Sequence, residues 1–536
     1  MAIVSNKFLE LAISNIANHG DTDIFPFPVD NLIFNDDKAG VLDVLRYLDS
    51  NFDEAKATNP ILAVKNLSAV GYHGFRYGTQ IDSIWNAYLL ALVATIGVDI
   101  ESKRVSKEVV FSYRYLPNLE SHTLFDRSVG WTSFQNKSVE MARENQYVLR
   151  CDISDFYPRI YHHRLENALK KATENQEVVK RIMSILMDIS EGVSYGLPVG
   201  GPAARLLSEL LLNRVDRLLA NEGIRYCRFV DDFNIFAATR EEAYQHLITL
   251  NQLLLSNEGL SLQKIKTKIM TSAEFLSTSD FAIENVADSP EGIAARNFSK
   301  LRIHYDPYSP TAESEYLELV AEVSRFDVVG MLGRELAKSR LDEGLTRRLL
   351  AAIRLLPNTA VNQAIQTLQN SLDLLYPVFP SVMILCKGMI GDLSQDVKDQ
   401  LFATLRELIK SGSYITQVPT NLAYALRVLA ADPSEEMESL LSQMYKQPLP
   451  MNIKRDIILM MGYRGADHWI SDCRKKFSTV TDWEKRALLI CSYILSDEGS
   501  HWRTKIKREL SQFDKLVLSW AGTSKSTKGV NWKVPL

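Results

Sequence analysis

A chain of 536 residues with 46% hydrophobic and 24% charged residues has the make-up of a globular protein and length for roughly two to four cores. Its net charge of −4 excludes a surface that is basic throughout, so any grip on a phosphate backbone has to be local. Five cysteines (Cys151, Cys227, Cys386, Cys473, Cys491) show no CxxC spacing, so neither a zinc site nor a disulfide framework is suggested.

From the start of the chain, Met-Ala-Ile-Val-Ser-Asn-Lys offers neither a charged leader nor a long apolar core, so a cytoplasmic location is expected. Residues 1–145 mix helical segments with Pro- and Gly-containing breaks. The apolar run Ile84–Val98 carries Asn86 and is shorter than the ~20 residues that span a bilayer, so it reads as a buried helix. No membrane partner is expected.

The next segment, Tyr147–Tyr161, reads as a short strand that ends in the acid Asp152. In Tyr195–Leu212, Gly196, Pro198 and Gly200 punctuate a loop, and Pro202 suits the first position of the helix that follows. That helix has an apolar face through Ala203, Leu206, Leu207, Leu210 and Leu211. Arg205 and Glu209 lie four residues apart on it, the spacing of an i,i+4 pair.

Asp231 and Asp232 then sit side by side between two aromatic and β-branched flanks, Tyr226–Phe229 and Phe233–Ala237. This is a hairpin with an acidic pair at its tip. Two carboxylates held that close need a cation, and Mg²⁺ bridging them to a nucleoside triphosphate is the usual reason for such a pair. A neighbouring strand ending in Asp152 adds a third acid. Farther on, Gly259–Ile269 alternates like a strand and carries Lys264, Lys266 and Lys268. His162 and His163 lack acidic companions at metal-site spacing and receive no catalytic role.

This order of acid-ended strand, glycine loop with helix, Val-Asp-Asp hairpin and basic strand resembles the palm of reverse transcriptases. Within that group, Asp-Ile-Ser-Asp-Phe-Tyr-Pro-Arg-Ile-Tyr, Gly-Leu-Pro-Val-Gly and the finger-like Val-Phe-Ser-Tyr-Arg (110–114) look like the Abi (abortive-infection) branch of bacterial antiphage defence polymerases. The resemblance implies that Asp152, Asp231 and Asp232 are catalytic and hold metal, with the Ile153 carbonyl as an extra ligand. It assigns nucleotide contacts to Lys266, Arg114 and the loop residues Gly196, Pro198 and Gly200. Tyr157, five residues after Asp152, falls at the steric-gate position that excludes a 2′-OH. Two departures stand out: Phe229 replaces the usual Tyr, and Val199 the commoner Gln. Mg²⁺, with Mn²⁺ as its alternative, is the implied cofactor. The implied partners are dNTPs, a single-stranded DNA product attached to the protein, and further copies of this chain in a homo-oligomer.

Beyond about residue 293 the alternation gives way to helical periodicity, as in Leu345–Leu356 and Leu401–Ile409, with breaks at Pro357, Gly412, Pro433 and Pro448–Pro450. Helix hairpins resembling a HEAT-like solenoid follow. The expected architecture is therefore an α+β reverse-transcriptase-like fingers (1–145) and palm (146–290), then an all-α HEAT-like helical-repeat domain (291–536) with a basic C-terminal tail. Three functions are compatible with it. The first is a protein-primed, template-independent DNA polymerase of phage abortive infection. The second is a conventional templated reverse transcriptase of retron or group II intron type. The third is a non-catalytic palm-derived scaffold.

Overall fold

The computed structural model describes residues 2–278 and 319–536, with residues 294, 297, 298 and 301 between them. The expected boundary at 290/291 lies outside the described residues. The chain begins with helices Asn6–His19, Asp30–Asp36, Lys38–Ser50 and Phe52–Thr58, followed by an antiparallel hairpin of β1 (Ala63–Val70) and β2 (Gly74–Ile81). Asp82 then caps the helix Ser83–Thr95 by accepting from the Ile84 amide, and every residue from Ser83 to Ala94 is buried. A helix that is apolar on all sides belongs inside a fold. It bends by 50° into Gly97–Lys103, and among the described residues no single helix is long and apolar enough to cross a membrane.

A small pair, β3 (Tyr115–Asn118) and β4 (Thr123–Phe125), precedes the central sheet. That sheet contains β5 (Tyr147–Asp152), β6 (Arg225–Phe229), β7 (Asp232–Ala237) and β8 (Lys268–Thr271), in the spatial order β6-β7-β5-β8 and antiparallel throughout. Residues 109–111 extend the β6 edge, with a Val110–Arg228 bridge and a hydrogen bond from the Phe111 amide to the Arg228 carbonyl. Helices His162–Ala172, Gln176–Ile189 and Pro202–Asn221 bury apolar faces in the same core as β5 and β7. One expectation fails here. Gly259–Ile269 is not a continuous strand: the Lys266 and Thr267 amides both donate to the Gln263 carbonyl, closing a turn where a ladder would run, and β8 starts only at Lys268.

From Val328 onward the described chain is helical. Alternate helices Phe379–Met389, Pro419–Leu429, Met451–Tyr463, Asp482–Cys491 and Gln512–Lys528 stack on one another as an inner row, with shorter or more exposed helices outside. The inner row is tied to the N-terminal elements. Thr420 donates to the Leu67 carbonyl (2.8 Å), Asn66 to Asn452 (3.2 Å), Trp483 to Asp82 (2.9 Å) and Trp520 to Asp36 (3.0 Å). Arg486 is buried against Asp82 and Asp514. One hydrophobic core consequently runs from Val4 to Val534. The basic C-terminal stretch is also not a free tail. It forms the helices Asp497–Ile506 and Gln512–Lys528, and Arg503 lies 4.0 Å over the Tyr493 ring.

Candidate active site

The site forms where β5 ends beside the β6–β7 turn. Asp152 and Asp232 face each other across the β5–β7 ladder, and the Ile153 amide donates to the Asp231 carbonyl at 3.1 Å. Phe229 pairs with Asp232, so only Val230 and Asp231 make the turn. A two-residue hairpin favours left-handed backbone, and Val230 adopts it at φ 57°. A β-branched residue is a costly choice there. Ser112 Oγ accepts from the Val230 amide (2.9 Å) and Arg228 Nη1 donates to its carbonyl (2.6 Å), holding the turn from both sides.

Carboxylate oxygens of Asp152, Asp231 and Asp232 lie within 4.8 Å of one another. Burial, then the charges of Asp152 and Asp232, push Asp231 up to about 7. Burial, then Asp152, push Asp232 up to about 6, against the pull of Lys266 and Arg150. Lys266 Nζ sits 2.6 Å from Asp152 Oδ2 with its side chain 65% exposed, and it is the only cation paired to the three acids among the described residues. Three hard oxygen donors with one lysine leave uncompensated negative charge, a donor set that fits Mg²⁺ or Mn²⁺. The Ile153 carbonyl accepts no hydrogen bond among the described residues, leaving it available as a further oxygen donor.

The other sequence-selected residues have mixed fates. Tyr157 lies on the short helix Phe156–Arg159, mostly buried, with its hydroxyl 3.4 Å from Ser208 Oγ. Gly196 (φ 100°) and Gly200 (φ 116°) occupy backbone that L side chains rarely adopt. A Cβ on Gly200 would meet Thr22 Oγ1 at 2.1 Å. The Leu197 amide bonds the Tyr157 carbonyl, and buried His162 lies 2.7 Å from the Gly196 carbonyl through Nε2. The loop carrying Gly196, buried Pro198 and Gly200 is thereby docked against Tyr157 and the N-terminal segment Thr22–Ile24. Arg114 does not join the acids. Its guanidinium pairs with Glu101 (3.0 Å) and the Val105 carbonyl.

The Arg205–Glu209 pair expected from spacing does not form. Arg205 reaches Asp23 (2.6 Å) and lies 5.1 Å over the Tyr113 ring. Glu209 is fully buried between Arg104 (2.6 Å) and Arg228 (2.9 Å), and accepts from Ser112 (2.5 Å). Asp216 closes the set on Arg228 at 2.6 Å. Sequence reading missed this clamp, although its signal was present. Arg228 stands inside a strand whose neighbours are apolar, and a buried arginine requires acids facing it. Phe229 packs against Trp131 (5.2 Å), Phe134 and Tyr113 (both 6.1 Å).

Residues 100–286 match the family model of reverse transcriptase (RNA-dependent DNA polymerase). This part of the chain is a reverse-transcriptase-like domain, and the chain is an enzyme of the nucleotidyltransferase kind. The matched residues of the enzyme include all three acids, Lys266 and the glycine loop. None of the curated proteins matches the chain. Among solved structures it is similar to a telomerase from Candida albicans in complex with a TWJ fragment of telomeric RNA. The identity there is 11%, over 76% of this chain and 68% of that one, with a TM-score of 0.31. It is also similar to an apo telomerase from Candida tropicalis, at 9% identity over 72% and 74% of the two chains and a TM-score of 0.31. At such scores the likeness bears no functional weight.

Proposed function

We propose that the enzyme is a DNA polymerase of phage abortive-infection defence that extends a hydroxyl of the protein itself with dNTPs, without an added template. The convergence of Asp152, at the end of β5, on Asp231 and Asp232 of the β6–β7 hairpin, with a single lysine against them, carries this reading. Divalent metal bound there would offset the charge on the triphosphate and make the attacking hydroxyl easier to deprotonate. The residues of the chain do the rest. Asp152 and Asp231 supply the ligand oxygens, with the Ile153 carbonyl beside them. Asp232, one residue on, completes the acidic set. Lys266 offsets charge on the β- and γ-phosphates once its bond to Asp152 is exchanged for them. Tyr157 stands under the sugar and excludes a 2′-OH.

Val199, in place of a template-contacting glutamine, and the overall negative charge support synthesis without a gripped duplex. A tethered hydroxyl replaces the primer terminus by its high effective concentration. The C-terminal rows of alternating helices, read as HEAT-like pairs, serve as a scaffold for homo-oligomer assembly. The proposed organisation is fingers 1–145, palm 146–290 and helical domain 291–536, in a cytoplasmic protein.

Purified protein with Mg²⁺ and labelled dNTPs alone should become labelled, the label staying with the protein after boiling in detergent and shrinking to a stub on nuclease treatment. EDTA should abolish labelling. A free product that requires added RNA template and primer would establish the conventional templated enzyme instead. Tyr157→Ala should let rNTPs compete with dNTPs in the same assay, and an unchanged sugar preference in a folded, active variant would place the gate elsewhere.

A further inference from the structure

A second concave site lies away from the three acids, where the C-terminal half of helix Pro202–Asn221 meets helix His162–Ala172 and the end of helix Gly97–Lys103. It is a cavity of about 700 Å³, within the size range of small-molecule sites. Lys103, Arg164, Lys171, Arg214 and Arg217 line it, with Glu258 as the only acid among its described lining residues. In a chain of net charge −4, that convergence is a local reversal of sign.

Among the described residues these cations hold no carboxylate. Arg104, Arg114 and Arg228 of the same domain are each paired to a carboxylate. None of the five lining cations makes a side-chain hydrogen bond or ion pair within 4.0 Å among the described residues. Like charges gathered around a cavity repel one another, and only an anion offsets that. Glu258 is the second observation. It is only 5% exposed, lines the cavity and has no hydrogen-bond partner among the described residues. Burial pushes its carboxyl up to about 7, against the charges of Arg214 and Arg164. A buried carboxyl without a partner is costly unless a ligand donates to it or accepts from it.

The geometry points to a nucleotide-binding pocket distinct from the polymerase site, in which the cations take the phosphates of a nucleoside phosphate and Glu258 takes a sugar hydroxyl or a base amino group. Arginine suits the first task, because its fork matches phosphate oxygens. Side chains such as Leu211 give the floor an apolar surface for the base or sugar. A free nucleotide and the phosphorylated end of a DNA strand present the same chemistry.

The test is equilibrium binding of labelled dATP to the full chain in EDTA, where metal-dependent binding at the acids is silent. Wild type should bind about one equivalent. The double variant Arg214→Glu/Arg217→Glu, changed at two exposed positions, should bind at least about tenfold more weakly. The control Arg225→Ala, whose guanidinium pairs with Glu144 outside both sites, should match wild type. Glu258→Gln should weaken dATP while leaving inorganic tripolyphosphate unchanged. Displacement of dATP by 5′-phosphorylated tetrathymidylate would assign the pocket to a strand end, and failure to displace it would assign the pocket to free nucleotides; either result keeps the proposal. Unaltered dATP affinity in the double variant, absence of wild-type binding, or tripolyphosphate binding as tightly as dATP would each overturn it.

Discussion

Two clusters of buried charge hang on the same hairpin, and they are built on opposite principles. Beneath the turn, Arg228 and Arg104 face Glu209 and Asp216, so positive and negative groups balance at distances of 2.6–2.9 Å. Burial alone would lower Arg228, but Asp216 and Glu209 outweigh it and hold the guanidinium charged. At the tip, three acids face one exposed lysine, and burial drives Asp231 and Asp232 above the ordinary carboxylate range. The balanced cluster fixes the backbone, and the unbalanced one stores a demand for cations. A polymerase site needs both, since metal ligands are useful only when their strand ends cannot move.

The balanced cluster is most vulnerable at Arg228. Arg228→Met leaves Glu209 and Asp216 buried with less compensation and should cost about 3–5 kcal/mol; a denaturant midpoint equal to wild type would show that the clamp is not structural. Asp21 extends the contrast away from the site. It is buried, its Oδ2 accepts from Gln80 at 3.0 Å, its Oδ1 has no partner among the described residues, and burial first of all raises it to about 6. The folded state therefore holds this proton at a pH where the unfolded chain has lost it, so stability falls as pH rises from about 4 to 6. Asp21→Asn should remove that slope and gain roughly 2–3 kcal/mol at neutral pH. Parallel pH profiles of melting temperature for the two proteins would contradict the assignment.

Ser112→Ala removes the hydroxyl shared by Glu209 and the Val230 amide and should cost about 1–2 kcal/mol. It should also slow incorporation by loosening the turn, so a loss of stability at full activity would separate the clamp from the chemistry. The smallest effect is expected at Arg205, whose pairing with Asp23 is largely solvated. Arg205→Ala should change stability by less than about 1 kcal/mol, and a larger loss in thermal unfolding would mean that its stacking on Tyr113 matters more than the ion pair.

The legible part of this molecule was the part where one residue type can do only one thing. An acid closing a strand, an acidic pair between apolar flanks and glycines in a loop each constrain the backbone locally, and Asp152, Asp231, Asp232 and Gly200 stand where those constraints put them. Lys266 was legible as a residue but not as a strand, because alternation over 259–267 is also satisfied by the turn that closes on Gln263. The Arg205–Glu209 spacing misled for a different reason. An i,i+4 pair is worth a few tenths of a kcal/mol, and both residues found stronger partners distant in sequence, at Asp23, Arg104 and Arg228. The same holds for the helical half. Its helices could be read from periodicity, but its ties through Thr420, Asn452, Trp483 and Trp520 to the N-terminal elements join positions hundreds of residues apart and leave no local pattern.

Single-nucleotide incorporation by wild type and Asp231→Asn, measured beside thermal melting of the same preparations over a Mg²⁺ titration, tests the account most directly. Loss of one carboxylate relieves repulsion, so the variant should melt at or above the wild-type temperature without added metal while incorporating nothing above background at any Mg²⁺ concentration. Wild-type incorporation by a fully folded Asp231→Asn protein would contradict the claim that this hairpin is the polymerase site.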